Sequence, residues 1–442
     1  MEIHSFRTPG LGDQTYLLEH EGKAILVDPQ RDISRFLDAA AARDLELRFV
    51  LETHLHNDYV SGAEQAALRT GAELVLPAAA AAAYRYTPAF HLEELKGEDG
   101  LSIRPLHTPG HTPEHTSYVI LLDGKEVAVF SGGSLLVGSA GRPDLLGPER
   151  AETLARLQHI SLNRLAALPG DVELLPTHGE GSFCTSSGAG LYTSTIANEV
   201  LSNPLLQIAE PDDLAKEMLR MPMPIPGFYR YMGPANTLGV KPMPEESKPA
   251  ISLEELRRDD LNVVDMRPRQ HQAAGLFPGS VGIEMGIDFG SWAGWLLPYN
   301  EPVAIVADPD QDAEEAVVQL AQIGFDTVVG VVNDLPADGL GAGFTLVELD
   351  EALKLVGDDV QVLDVRMPSE LEQVRLSGAV ERFVPDVFTM GVPEQLDPEA
   401  TVLVACASGR RASIAASRLV AAGFTDVRVL TGAGVPDLAS AA

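Results

Sequence analysis

A block of the C-terminal half of this chain occurs twice in a single register. VVDMRP at Val263–Pro268 faces VLDVRMP at Val362–Pro368, and VAIVA ending at Ala307 faces VLVAC ending at Cys406. Asp265 and Asp364 stand 99 positions apart, as do Gly279 and Gly378, and Gly324-Phe325 and Gly423-Phe424. Matches sustained in one register mean two copies of one structural unit. Each copy alternates apolar strand, loop and helix-patterned segment, which predicts a parallel sheet with helices on both faces. Ahead of the repeat, MPMPIPG and KPMPEESKPA are too rich in proline to continue a helix or strand. The boundary is therefore set at about residue 245, giving segments 1–245, 246–340 and 341–442.

The first segment alternates β-rich and helical runs. QTYLLEH, KAILVDP, LRFVLETH, AELVLP, TSYVILL, EVAVFSG and VELLPTH read as strands, ISRFLDAAAARDLE and PERAETLARLQHISLNRLAAL as helices. Many strands with few helices predict an α/β domain whose sheets pack face to face between helices. From about 191 to 220 the pattern turns helical. At 442 residues the chain is too long for one core. No run approaches the ~20 apolar residues that span a bilayer, and the start lacks the basic and apolar regions of an export signal. The expectation is a cytoplasmic protein with no membrane partner, its oligomeric state open to a homo-oligomer. A net charge of −32 argues against nucleic acid. Two cysteines, Cys184 and Cys406, build no disulfide framework and suit a reducing compartment.

Cys406 ends a buried-type strand, where open α/β sheets place their ligands. The following ASGRR loop brings amides, a helix start and two guanidinium groups, Arg410 and Arg411, with Gly409 just before them. Such groups stabilise a thiolate and make it a nucleophile for electrophilic sulfur. The plainer alternative is a small buried residue at a strand end. In the first copy the same positions read Ala307, Asp308, Pro309, Asp310, Gln311 and Asp312. Without a thiol and with three carboxylates, that copy reads as structural.

Three histidine-bearing boxes lie in the first segment. THLHNDYVSG carries His54, His56 and Asp58; HTPGHTPEHTSY carries His107, His111 and His115; LPTHGEGSFC carries His178. Imidazoles and carboxylate clustered at strand-to-loop turns are the donor set of a metal site. His107 and His115 read as structural or surface groups. Cys184 reads either as an inert loop thiol or as a group at the pocket mouth that holds a persulfide in transit. Trp292 and Trp295 read as core or interface residues.

The order of the boxes resembles the metallo-β-lactamase superfamily. Within it the resemblance is greatest to persulfide dioxygenases fused to rhodanese domains, carried by HNDYVSG, TPGHT, FSGGSLL…GRPDL and THGEGSFC. CASGRR and the Asp-x-Arg segments resemble rhodaneses over both copies. The resemblance implies an α/β chain: a metallo-β-lactamase αββα sandwich followed by two rhodanese-like α/β domains. It implies one Fe(II), with zinc the alternative, held by two histidines and an aspartate. It further implies oxidation of a glutathione-type or other low-molecular-weight persulfide by O2 to sulfite, and sulfane sulfur carried on Cys406 for a thiol acceptor.

Carried over position by position, the iron histidines are His54 and His111. The aspartate should follow Gly132, and the sequence has Gly133. Tyr59 stands where two-metal hydrolases of the superfamily have a further histidine, which disfavours a second ion. Three outcomes follow for the centre. Iron binds through His54, His111 and water with a nearby carboxylate such as Asp58 moving in, or it binds weakly, or the domain is metal-free. His56, Asp58, Tyr59 and His178 then orient the ligands or replace one. Two further readings stay open: a sulfur-relay protein with a silent metal domain, and a thioester hydrolase of the glyoxalase II kind. A Gly133→Asp chain that gained iron and O2 consumption would mark a decayed site.

Overall fold

Apolar runs buried on both faces build the first part of the molecule. β1 (Glu2–Thr8), β2 (Asp13–His20) and β3 (Lys23–Val27) run antiparallel. β4 (Glu46–Leu51), β5 (Glu73–Pro77) and β6 (Thr87–Ala89) extend the sheet in parallel. A second sheet begins with β7 (Leu95–Lys96), β8 (Leu101–His107), β9 (Thr116–Leu122) and β10 (Lys125–Gly132), all antiparallel. A small hairpin of β11 (Leu135–Leu136) and β12 (Ser139–Ala140) follows. β13 (Glu173–Pro176) then joins β10 in parallel, and β14 (Ser194–Thr195) closes the order β14-β13-β10-β9-β8-β7.

Period-two alternation sorts the side chains into layers. Tyr16, Leu18, Ile25, Val27, Phe49 and Leu51 from the first sheet meet Tyr118, Ile120 and Phe130 from the second. Leu17, Leu26 and Val50, one residue out of phase, pack outward with Phe36 of α1 (Ser34–Ala41) and Ala66 of α2 (Ala63–Thr70). Val119, Leu121 and Val129 pack outward with Leu162 and Leu165 of α3 (Pro148–Ala166). This is the expected sandwich of two sheets between helices. The strands β1 and β8 were not legible in the sequence. β1 is half exposed, and β8 contains Pro105, which lies beyond the reach of the two-residue β7 on that side.

The structure, a computed structural model, describes residues 1–97, 99–185, 191–220, 223–244, 247–356 and 360–441. They fall into two units, Met1–Pro244 with Ala321–Gly324, and Glu245–Leu320 with Phe325–Ala442. The second unit holds two parallel sheets. One has β15 (Asn262–Asp265), β16 (Val281–Gly282), β17 (Val303–Ala307) and β18 (Val328–Asn333) in the order β16-β15-β17-β18. The other has β19 (Thr345–Val347), β20 (Gln361–Asp364), β21 (Val380–Glu381), β22 (Val402–Ala405) and β23 (Val427–Leu430) in the order β19-β23-β22-β20-β21.

The repeated Asp-x-Arg segment explains itself here. Arg267 pairs with Asp265 at 2.6 Å and donates to the Gly275 carbonyl at 2.8 Å. Arg366 pairs with Asp364 at 2.7 Å and donates to the Val374 carbonyl at 2.6 Å. Both pairs are buried and tie the strand end to the end of the next helix. Among the described residues no helix is long and apolar enough to cross a membrane.

Candidate metal centre and the Cys406 loop

The centre forms where strand ends of the first unit converge. The turn after β4 delivers Thr53, His54, His56, Asp58 and Tyr59 before α2 begins. The β8–β9 turn delivers His111 and His115, and the residues after β13 deliver Thr177 and His178. Asp13 opens β2 and Asp28 follows β3. His54, His56, Asp58, His111, His115, His178, Asp13 and Asp28 are all fully buried. His54, His111 and His178 offer nitrogens within 4.8 Å of one another, as do two further groups, Asp28 with His54 and His56, and His56 with Asp58 and His178.

Each ring is held from behind. Asp28 accepts the Thr53 amide and hydroxyl, both at 2.7 Å, and the Thr177 hydroxyl. Thr53 Oγ1 lies 2.9 Å from His54 Nδ1. His111 Nδ1 lies 2.9 Å from the Arg142 carbonyl, and its Nε2 is buried without a partner. Asp144 grips the Arg142 guanidinium at 2.7 Å, which keeps that turn in place. His178 Nδ1 lies 2.7 Å from Asp13 and 3.3 Å from Asp58, while its Nε2 is 3.3 Å from His54 Nε2. Burial depresses His54 and His178 as bases and brings His111 down to about 3. The three rings are thus neutral imidazoles, the form that binds a metal.

His56 faces the other way. Its Nε2 lies 2.8 Å from Glu52, 2.9 Å from the Tyr59 hydroxyl and 3.4 Å from Asp28. Burial alone would lower it, but Glu52 and Asp28 prevail and hold it well above the usual histidine value. Burial and the neighbouring Asp13 push Asp58 up to about 6.

Gly133 lacks the carboxylate that the resemblance calls for, and the reason is spatial. A Cβ there would lie 2.3 Å from His111 Cδ2 and 2.8 Å from its Nε2. The His111 ring occupies that space, so Gly133 is part of how His111 fits. The Gly133 amide donates to His115 Nε2 at 3.0 Å. His115 is therefore a buried structural residue, which corrects the surface alternative, while His107 is half-buried. Cys184 is corrected as well. It is fully buried, its thiol donating to Asp58 at 3.3 Å. Burial and Asp58 push its pKa well up, so it is a neutral thiol. The residues that sequence reasoning missed are Asp13, Asp28, Thr53 and Thr177. Asp28, directly after the apolar strand ILV, was the one with a visible signal.

In the second unit Cys406 follows β22, buried, with its Sγ accepting the Gly409 amide at 3.1 Å. Gly409 has φ of 91°, and a Cβ there would stand 2.8 Å from the Leu430 carbonyl, so the turn into helix Arg410–Ala421 needs glycine. The arginines are more committed than expected. Arg411 makes a two-point pair with Glu370. Arg410 turns to Asp288 at 2.6 Å and the Glu284 carbonyl at 2.8 Å, so it serves the loop's anchorage and not the thiol. In the thiol-free copy, Gln311 Oε1 takes the Asp308 amide at 2.9 Å and His271 takes the Asp308 carboxylate at 2.6 Å. Trp292 and Trp295 are buried, Trp295 edge-on to Phe383 with ring centres 5.5 Å apart.

Comparison with known proteins matches two parts of the chain. Residues 9–178 match the metallo-β-lactamase superfamily and residues 348–434 the rhodanese-like domain. A hydroxyacylglutathione hydrolase of Acidiphilium cryptum is 28% identical over 236 residues, 48% of this chain and 92% of that protein. The crystal structure of a metallo-β-lactamase from Staphylococcus aureus superposes with a TM-score of 0.68 at 24% identity, covering 76% of this chain and 99% of that one. That of ETHE1 from Myxococcus xanthus is 28% identical over 54% of this chain and 98% of that one, with a TM-score of 0.46. The chain has a metallo-β-lactamase fold with a C-terminal rhodanese-like domain, and this pairing marks an enzyme with a metal-binding cluster of His and Asp.

Proposed function

We propose that this chain is a sulfur-metabolism enzyme that couples persulfide oxidation in segment 1–245 to sulfur transfer at Cys406 in segment 341–442, with 246–340 as a supporting copy. The observation that carries the reading is a thiol in an amide-lined loop on the same chain as a buried histidine cluster. The oxidation balances as RSSH + O2 + H2O giving RSH, sulfite and two protons. The ion assigned to the cluster is Fe(II), which would supply the activation of O2; zinc, the alternative, has no redox chemistry and would suit only a hydrolytic centre. His54 and His111 hold the ion, and Asp13, Asp28 and Thr53 fix their rings or those of neighbours. The substrate is a glutathione-type or other small persulfide.

In the transfer step the Cys406 thiolate attacks the terminal sulfur of RS–SH. The S–S bond breaks, RS⁻ leaves with the electron pair, and Cys406 carries a persulfide that passes to a thiol acceptor. The Gly409 amide stabilises the thiolate. Exposed Ala407 and Ser408 beside it leave an approach. Arg411, braced by Glu370, adds positive charge to the loop.

A second reading, hydrolysis of a glutathione thioester, is favoured by the name of the Acidiphilium relative. Against it stand Tyr59, which engages His56, and Gly133, which offers no bridging carboxylate between two ions. O2 uptake with glutathione persulfide by the Fe(II)-loaded chain decides between them. Uptake is expected, and it should persist in Cys406→Ser while sulfur transfer disappears. No uptake together with thioester hydrolysis would replace this reading by the second. Transfer by a chain that takes up no metal would make it a sulfur relay.

A further inference from the structure

We infer that the metal of this chain is held by three histidines, His54, His111 and His178, with no carboxylate in direct contact. The argument runs through protons. Thr53 has one hydroxyl proton, and it goes to Asp28, so Thr53 Oγ1 must accept from His54 Nδ1–H. A carbonyl only accepts, so His111 Nδ1 carries the proton donated to Arg142. In both rings Nε2 is left as a bare lone pair. That of His111 has no partner in a fully buried place, an arrangement that costs free energy unless a ligand completes it. His178 Nε2 stands 3.3 Å from His54 Nε2, with Asp13 and Asp58 behind its Nδ1. With Nδ1 turned to these carboxyls, Nε2 is the nitrogen that His178 presents to the other two rings.

Three convergent imidazole nitrogens, each with its far nitrogen hydrogen-bonded, are what a catalytic site of three protein ligands and an open position requires. The lost residue at 133 and the gained ligand belong together. With no side chain at Gly133, the His111 ring fills that space, and His178 supplies the third donor. His56 does not join this set, because it groups with Asp28 or Asp58 and not with His111. Neutral imidazoles leave the ion's charge uncompensated, and the carboxyl groups of Asp13, Asp58 and Asp28 stand behind the ligands. Imidazole donors select zinc, iron or cobalt over magnesium or calcium.

This inference rests on the metal-centre reading above but not on which reaction the centre performs. Its test is Co(II) loading of the full chain, read by metal analysis, visible spectrum and paramagnetically shifted NMR. Wild type should take one equivalent and show one exchangeable imidazole N–H signal for each of the three histidines. His178→Gln should lose one signal and weaken binding by more than the ~10–100-fold typical of a lost outer partner. An unchanged near-UV circular dichroism spectrum of that variant without metal reports that the unit carrying the centre still folds. Wild-type binding with only two histidine signals, or an unchanged spectrum and affinity in His178→Gln, would overturn the ligand set. Absence of O2 uptake from a chain that passes these tests would instead sink the dioxygenase reading alone.

Discussion

Gly133 and His111 compete for one volume, and that relation makes a prediction. The backbone at Gly133 is not in the left-handed region, and the three atoms nearest to a side chain there all belong to the His111 ring, the first at 2.3 Å. Gly133→Asp must displace His111 from its bond to Arg142 or strain the turn, a change of the overpacking kind that costs about 1–3 kcal/mol. Iron content of the variant should fall below wild type, and its melting temperature should drop. A rise in bound iron would show that the site is a decayed aspartate site after all. Glu370 offers a second test at this scale. Burial opposes its charge, but the Arg411 bond prevails and holds its carboxyl below the ordinary value of 4.5. A depressed folded value stabilises above the unfolded one and is lost as pH falls through the folded one. Glu370→Gln should therefore flatten the acid side of the stability–pH curve below about pH 4.5. An unchanged acid limb in denaturant titrations would contradict this.

The two parallel sheets of the second unit share a device. A buried arginine at the end of β15 or β20 joins a carboxylate two residues back to a carbonyl eight residues on. Removing one partner of such a pair leaves a buried charge uncompensated, at a cost of about 3–5 kcal/mol. Arg366→Ala should lower the denaturation midpoint accordingly and reduce sulfur transfer through loss of fold. Replacing both Asp364 and Arg366 by apolar residues should recover much of the stability. A single variant as stable as wild type would show that the pair only decorates the strand end.

Across the whole molecule, 64 acidic against 32 basic residues produce like-charge repulsion that salt screens. Raising ionic strength from about 0.01 to about 1 M shortens the screening length from about 30 to about 3 Å. The melting temperature should rise over that range, measured in a non-binding salt. A fall would mean that the ion pairs outweigh the repulsion. At this scale the sequence was a good guide. The strands with continuous apolar runs, the helices at 34–41 and 148–166 within the predicted stretches, and the parallel sheets followed from periodicity, because burial on both faces is written in every second residue. The strands β1 and β8 were not legible, since an exposed face in the first and a proline in the second remove that signal.

The sequence by itself determined that only one repeat can carry a thiol at this loop, since Ala307 stands where the other copy has Cys406. It also determined that position 133 offers no ligand. It could not say what takes that ligand's place, because the answer depends on distances across turns far apart in the chain. Only the tertiary structure brought His178 to 3.3 Å from His54, set Asp13 behind it, and filled the space at Gly133 with the His111 ring. It also turned Arg410 away from the thiol toward Asp288. A ligand set is a matter of where lone pairs point, and a linear order of residues carries no direction.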